Sequence, residues 1–162
     1  GISDFGLANQ IGVSNKKAKE YINQYLEKYS GIKHFMDDIV ESAKAKGYVE
    51  TLFGRRRYIP EIRSTNYMVR QFGSRVAMNT PIQGTAADIM KIAMINVDKT
   101  LKEQKINGKI VLQIHDELLL EVSKEHKEQA KKILKECMEK AMELSVPLEV
   151  EISEGYSWYE VK

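Results

Sequence analysis

The stretch from Gln113 to Val122, Gln-Ile-His-Asp-Glu-Leu-Leu-Leu-Glu-Val, restricts what this chain can fold into more than any other. Three polar residues, His115, Asp116 and Glu117, stand between apolar runs at Val111 to Ile114 and Leu118 to Leu120. Short runs rich in Val, Ile and Leu, broken by two or three polar residues, read as the arms of a β-hairpin whose turn carries charge. A carboxylate at such a tip is fixed by two buried strands yet open to solvent, so a hard divalent cation and a phosphate can both reach it. A hairpin with a merely polar turn satisfies the same pattern, because turns collect Asp.

The rest of the chain supplies enough core to hold such a hairpin. Its 162 residues are 43% hydrophobic, which suits one domain, or one domain and a piece of another. The 25 Lys and Arg nearly balance 23 Asp and Glu, so the net charge of +2 says little about partners and only local clusters can speak. The single cysteine, Cys137, lies among helical residues and cannot form an internal disulfide. No apolar run approaches membrane-spanning length and no signal-peptide pattern opens the sequence. Phe5, Leu7, Ala8 and Ile11 keep loose helical spacing without a convincing cap before them, and the opening at Gly1 reads as a cut end.

Ser14 is placed to cap a helix over Asn15 to Tyr29, with Ala18, Tyr21, Ile22, Tyr25 and Leu26 as its apolar stripe. A second helix is expected over Ile32 to Lys46, with Phe35, Met36, Ile39, Val40 and Ala43 inward and Gly47 as its stop. His34 falls on its surface and has no second ligand at metal spacing. Tyr48 to Pro60 alternates, turns near Gly54 and alternates again, as a small hairpin does. Arg55, Arg56 and Arg57 follow that turn, and two readings stay open for them: a solvated surface, or bidentate contact with phosphate.

A helix from Ser64 to Gln83 follows, which Pro81 must bend or end. Another is expected from Gly84 to Lys105, where Thr85 and Asp88 resemble a capping box and Ile89, Met90, Ala93, Val97 and Leu101 form a buried stripe. Asp88 is a capping residue on this reading, not a metal ligand. After the central hairpin, Lys124 to Leu144 reads as an amphipathic helix ended by Pro147, and Leu148, Val150 and Ile152 alternate as a third strand. The second half is therefore expected as α-β-β-α-β. The fold class is α+β, with a mostly helical layer beside a small antiparallel sheet packed with helices.

Three stretches go beyond periodicity. Gln-Ile-His-Asp-Glu at 113–117, Met-Asn-Thr-Pro-Ile-Gln-Gly-Thr-Ala-Ala-Asp at 78–88 and Gly-Tyr-Val-Glu-Thr-Leu-Phe-Gly-Arg-Arg-Arg-Tyr-Ile-Pro at 47–60 closely resemble, in order and spacing, the C-terminal part of the family A DNA polymerases of the bacterial DNA polymerase I type. Gly1 to Leu7 looks like the segment just after that family's nucleotide-binding fingers helix, and Gly155 to Tyr159 like its C-terminus. The resemblance covers essentially the whole chain. It implies part of the fingers subdomain over 1–76 and part of the palm subdomain over 77–162.

The resemblance also implies template-directed nucleotidyl transfer, in DNA replication and repair, with two Mg²⁺ ions bridged by two aspartates. Asp116 matches the second of these and is the metal ligand, and Glu117 matches the acidic residue beside it. His115 matches a histidine that contacts the primer strand, and Arg75, Asn79 and Gln83 match polar residues along the duplex behind the insertion site. All four can donate hydrogen bonds to the minor-groove acceptors that every correct base pair presents. Where the family usually has an acidic residue before this arginine, the chain has Ser74, which puts in doubt how firmly Arg75 is held. The implied partners are primer-template DNA and deoxynucleoside triphosphates, and the implied parent is a monomer of the bacterial cytoplasm, associated with the nucleoid.

The family's first catalytic aspartate and its triphosphate-binding helix have no match in this sequence, so the chain alone is expected to be inactive. Two other classes are weighed against this. A non-catalytic DNA-binding module would bind duplex with affinity falling steeply with salt. A His-Asp metal phosphohydrolase would need its doublet on a helix among further histidines, and only His34 and His126 remain.

Overall fold

The computed structural model describes residues 2–161, which fall into two compact units, the first reaching Thr85 and the second starting at Ala86. The class is α+β: helices with two separate two-stranded antiparallel sheets.

In the first unit, α1 (Asp4–Ile11) has the cap that periodicity did not reveal. The Ser3 hydroxyl accepts from the Gly6 N–H at 3.0 Å, satisfying one of the orphan donors of the first turn. Helix α2 (Asn15–Lys28) starts at Ser14 as expected, and α3 (Ser30–Lys46) ends at Gly47, which takes φ 84°. Arg63 closes α3 from outside: its guanidinium donates to the Lys44 carbonyl at 2.8 Å and the Ala45 carbonyl at 2.5 Å, acceptors with no partner inside the helix. Strands β1 (Tyr48–Glu50) and β2 (Arg56–Tyr58) pair with Tyr48 opposite Tyr58, across a turn containing Gly54 at φ 77°. The core of the unit is Ala43, Val49, Ile59, Ile62 and Ala77. Of the stripe expected on α2, Ala18 is buried, whereas Tyr21 and Tyr25 are exposed.

One helix, α4 (Tyr67–Glu103), replaces the two expected around Pro81. An interior proline removes a backbone donor and costs about 3 kcal/mol in an isolated helix. Tertiary contacts offset that cost here. Ala77 and Thr80 are buried, and the Thr85 hydroxyl donates to the Pro81 carbonyl at 2.5 Å while accepting from the Leu52 N–H at 3.0 Å. Thr85 and Asp88 therefore lie within a helix and do not form a capping box. Thr85 instead ties α4 to the β1–β2 turn.

The second unit is built on Val97, Leu101, Ile106, Leu118, Ala130 and Ile133, the stripe of α4 meeting the hairpin and the helix after it. Strands β3 (Gly108–Ile114) and β4 (Glu117–Val122) form that hairpin, with a bulge between Ile110 and Leu112. Helix α5 (Lys127–Glu139) is shorter than the expected 124–144. A 3-10 turn over Lys124–His126 precedes it, and at Lys140 the backbone leaves helical geometry (φ −96°, ψ 8°) before Pro147 is reached.

The third strand does not form: residues 147–155 are irregular, and the sheet of this unit has two strands. Alternation gives one apolar face, but a strand also needs a neighbour for its N–H and C=O groups. Here side chains take the segment instead. The Val150 N–H donates to the Glu139 carboxylate at 3.3 Å, and Glu154 pairs with both Lys127 and Lys131.

Hydrogen bonds from Lys131 and then Lys127 hold the Glu154 carboxyl below its ordinary value. A depressed carboxyl contributes stability that is present above its ordinary value and lost as pH falls through the lowered one. Lys131, raised by the same pairing, keeps its share until the pH climbs through its raised value. Lys127 and Glu154 are exposed and Lys131 is half-buried, so the effect is small and salt-sensitive. We expect Glu154→Gln to lower the urea midpoint slightly at neutral pH and low salt, with the gap to wild type closing in acid and at high salt. A gap independent of pH would show that the pairing contributes nothing.

Candidate active site

The charged residues singled out at 115–117 sit where the hairpin reading put them. Ile114 pairs with Glu117, so His115 and Asp116 are the two central residues of a tight turn and Glu117 opens β4. All three are exposed. The support is more one-sided than two buried strands. Leu118 is buried, with Ile110, Leu120 and Val122 packed on the same core, whereas Val111 and Leu112 are 48% and 40% exposed. The bulge at this point adds an extra residue to β3, which explains why its alternation does not carry through.

Backbone geometry at the turn is unusual. His115 has φ 51°, a region that residues other than glycine rarely adopt. Its carbonyl accepts from the Gln113 side-chain amide, Nε2, at 2.7 Å. Asp116 is then an exposed carboxylate on a short, rooted turn, a donor suited to a hard divalent cation. Such a cation takes six or more oxygens, and among the described residues no group of three or more His, Cys, Asp or Glu is close enough to hold one. The turn fits as a contributor to a cation site, with Asp116 first and Glu117 beside it.

In the first unit, Arg75, Asn79 and Gln83 lie on α4 at spacings of four, which places them along one side of the helix. Because α4 is continuous through Pro81, the row is unbroken, and all three are exposed. The Ser74 hydroxyl donates to the Arg70 carbonyl at 3.2 Å, one turn back along its own helix.

The arginine triplet is more occupied than either sequence reading allowed. Arg55 donates to the Gly84 carbonyl at 3.0 Å, and Arg57 to the Thr80 hydroxyl at 3.4 Å. Arg56 pairs with Glu50 at 2.8 Å and covers the Tyr48 ring at 4.7 Å. The hydrogen bond to Glu50 is the main reason its guanidinium is held above its ordinary value. Together with Thr51, Thr80 and Gln83 the three line a polar cleft. Glu50 and Tyr48, two residues apart in a strand that faces the triplet, were the sequence signal for this anchoring.

Comparison with known proteins gives the family. The profile of DNA polymerase family A matches residues 1–160. DNA polymerase I of Streptococcus pneumoniae is 54% identical over all 162 residues, which cover 18% of that protein. DNA polymerase I of Bacillus subtilis is 51% identical, again over the whole chain and 18% of its own length. The solved structure of the POL domain of Pol1 from M. smegmatis, in complex with DNA primer-template and dNTP, matches 99% of this chain and 28% of its own, with TM-score 0.96 and 44% identity. The chain thus spans about a fifth of the length of these curated relatives. With a family profile matched over nearly every residue and whole-chain identity above one half, this chain belongs to DNA polymerase family A.

Proposed function

We propose that this chain is part of a template-directed DNA polymerase and carries half of its cation-binding machinery. The observation that supports this most directly is Asp116, an exposed carboxylate at the centre of a tight hairpin turn rooted through Leu118. In that role Asp116 would be one of the carboxylates that hold Mg²⁺, with Glu117 beside it. When bound, the ions lower the charge barrier to attack of the primer hydroxyl on the triphosphate. His115 contacts the primer strand near its end. Arg75, Asn79 and Gln83 donate hydrogen bonds into the minor groove of the duplex, where a mispair leaves a donor without its acceptor.

On this reading residues 1–76 belong to a fingers subdomain and 77–162 to a palm, and the partners are primer-template DNA and deoxynucleoside triphosphates. The place of action is the bacterial nucleoid. Among the described residues no helix is long and apolar enough to cross a membrane. The whole polymerase is needed, because the carboxylates on one turn are too few to hold two ions.

Primer extension with Mg²⁺ and all four nucleotides tests both halves. The complete protein is expected to add templated nucleotides, and the isolated 162-residue chain none. Templated incorporation by the isolated chain would refute the claim that it holds only half a site. A complete protein that binds primer-template with salt-steep affinity and never extends it would put a DNA-binding module in place of the enzyme.

A further inference from the structure

The turn that carries Asp116 is held by a residue outside it. Gln113 donates its side-chain amide to the His115 carbonyl, and that carbonyl belongs to the peptide plane joining His115 to Asp116, the centre of the turn. His115 has positive φ and Asp116 does not. That combination is the type II′ pattern, whereas in type I′ both central residues have positive φ. The two forms differ by a flip of the central peptide. Such a flip carries the His115 carbonyl to the other face of the hairpin and reverses the sign of φ at Asp116, so the direction in which the carboxylate leaves the backbone changes with it.

Glycine normally occupies the first central position of a II′ turn, because it has no Cβ to oppose a positive φ. Histidine stands there in this chain, so the local sequence does not select the form by itself. Only a donor can meet a carbonyl oxygen, which fixes the Gln113 amide with its nitrogen toward the turn.

We propose that Gln113 is a positioning residue: by pinning the central peptide of the turn it sets where the Asp116 carboxylate points. The proposal rests on the reading of Asp116 as a cation ligand. Gln113 touches no reacting atom in this role and acts through the backbone of His115. Partners that orient a metal ligand typically matter by about 10–100-fold in metal affinity or activity when removed.

The test is a double-mutant cycle in the complete polymerase, using Gln113→Met, which keeps the length of the side chain without its donor, and His115→Gly, which adopts positive φ unaided. Two quantities are read for wild type, both single variants and the double: the single-turnover rate of nucleotide addition, and the Mg²⁺ concentration giving half of it. Gln113→Met is expected to lower the rate and raise the Mg²⁺ requirement, together by about 10–100-fold, with primer-template Kd unchanged. Whatever His115→Gly costs alone, adding Gln113→Met to it should cost little more. Equal losses in both backgrounds, or no loss in the first, overturn the positioning role and leave the polymerase reading standing. A wild-type protein that adds no templated nucleotide overturns that reading, and the positioning role falls with it.

Discussion

If Asp116 is a cation ligand as proposed, replacing it with Asn in the complete polymerase is expected to lower the single-turnover rate of nucleotide addition by about 10³-fold or more. The substitution keeps the shape of the side chain and removes its charge. A carboxylate that held a divalent ion at the reacting atoms would contribute several kcal/mol to stabilising charge that develops in the transition state, and each 1.36 kcal/mol is a factor of about ten in rate. The side chain is exposed on the turn, so its loss removes no packing and the fold should survive. Glu117→Gln, one residue into β4, is expected to cost only about tenfold, because a neighbour that tunes a cation site matters less than a ligand. Rapid-quench measurement at saturating nucleotide distinguishes the two. An Asp116→Asn enzyme within tenfold of wild type would remove this residue from the chemistry.

The second large effect concerns Gly73. A Cβ added there would lie 2.6 Å from the Ile62 nitrogen and 2.8 Å from its Cα, closer than packed atoms approach. Helix propensity alone argues that Gly73→Ala in α4 should stabilise by about 1 kcal/mol. Overpacking against neighbours typically costs about 1–3 kcal/mol and sometimes more, and here the obstacle is backbone, which cannot rotate away. The clash wins. We expect Gly73→Ala to destabilise the chain by about 2 kcal/mol and Gly73→Val by more. Gly31 in α3 is the control, since nothing lies within 4 Å of its Cβ position. There Ala should stabilise, by up to about 1 kcal/mol. Urea unfolding of both variants reads the opposite signs, and a stabilising Gly73→Ala would mean that α4 does not press on Ile62.

These cases show which levels of the structure were legible beforehand. The hairpin at 108–122 was, because apolar runs flank a charged triplet, and so were the Ser14 cap, the Gly47 stop and the Gly54 turn, each a local rule with a single residue behind it. The passage of α4 through Pro81 was not. The local rule for proline is outvoted by Thr85 reaching Leu52 and by Gly73 lying against Ile62, contacts between residues far apart in sequence. The third strand failed for the converse reason: its alternation was real, but pairing depends on a neighbour that periodicity cannot supply.

At the candidate site, the exposed setting of Asp116 followed from the pattern. The dihedral angle of His115 and the amide of Gln113 behind it did not, because neither is written in residue type. The arginine triplet sat between these extremes. Its charge was plain and Glu50 stood in the facing strand, while its partners on α4, Thr80 and the Gly84 carbonyl, required the fold.

Pro81 leaves α4 with one rung missing from its ladder, the bond that would otherwise join it to the Ala77 carbonyl. A rod with a missing rung yields there first. Arg75 lies on one side of that soft point, Gln83 on the other, and Asn79 level with it. A bend at that point would alter the spacing between the outer two without unwinding either end.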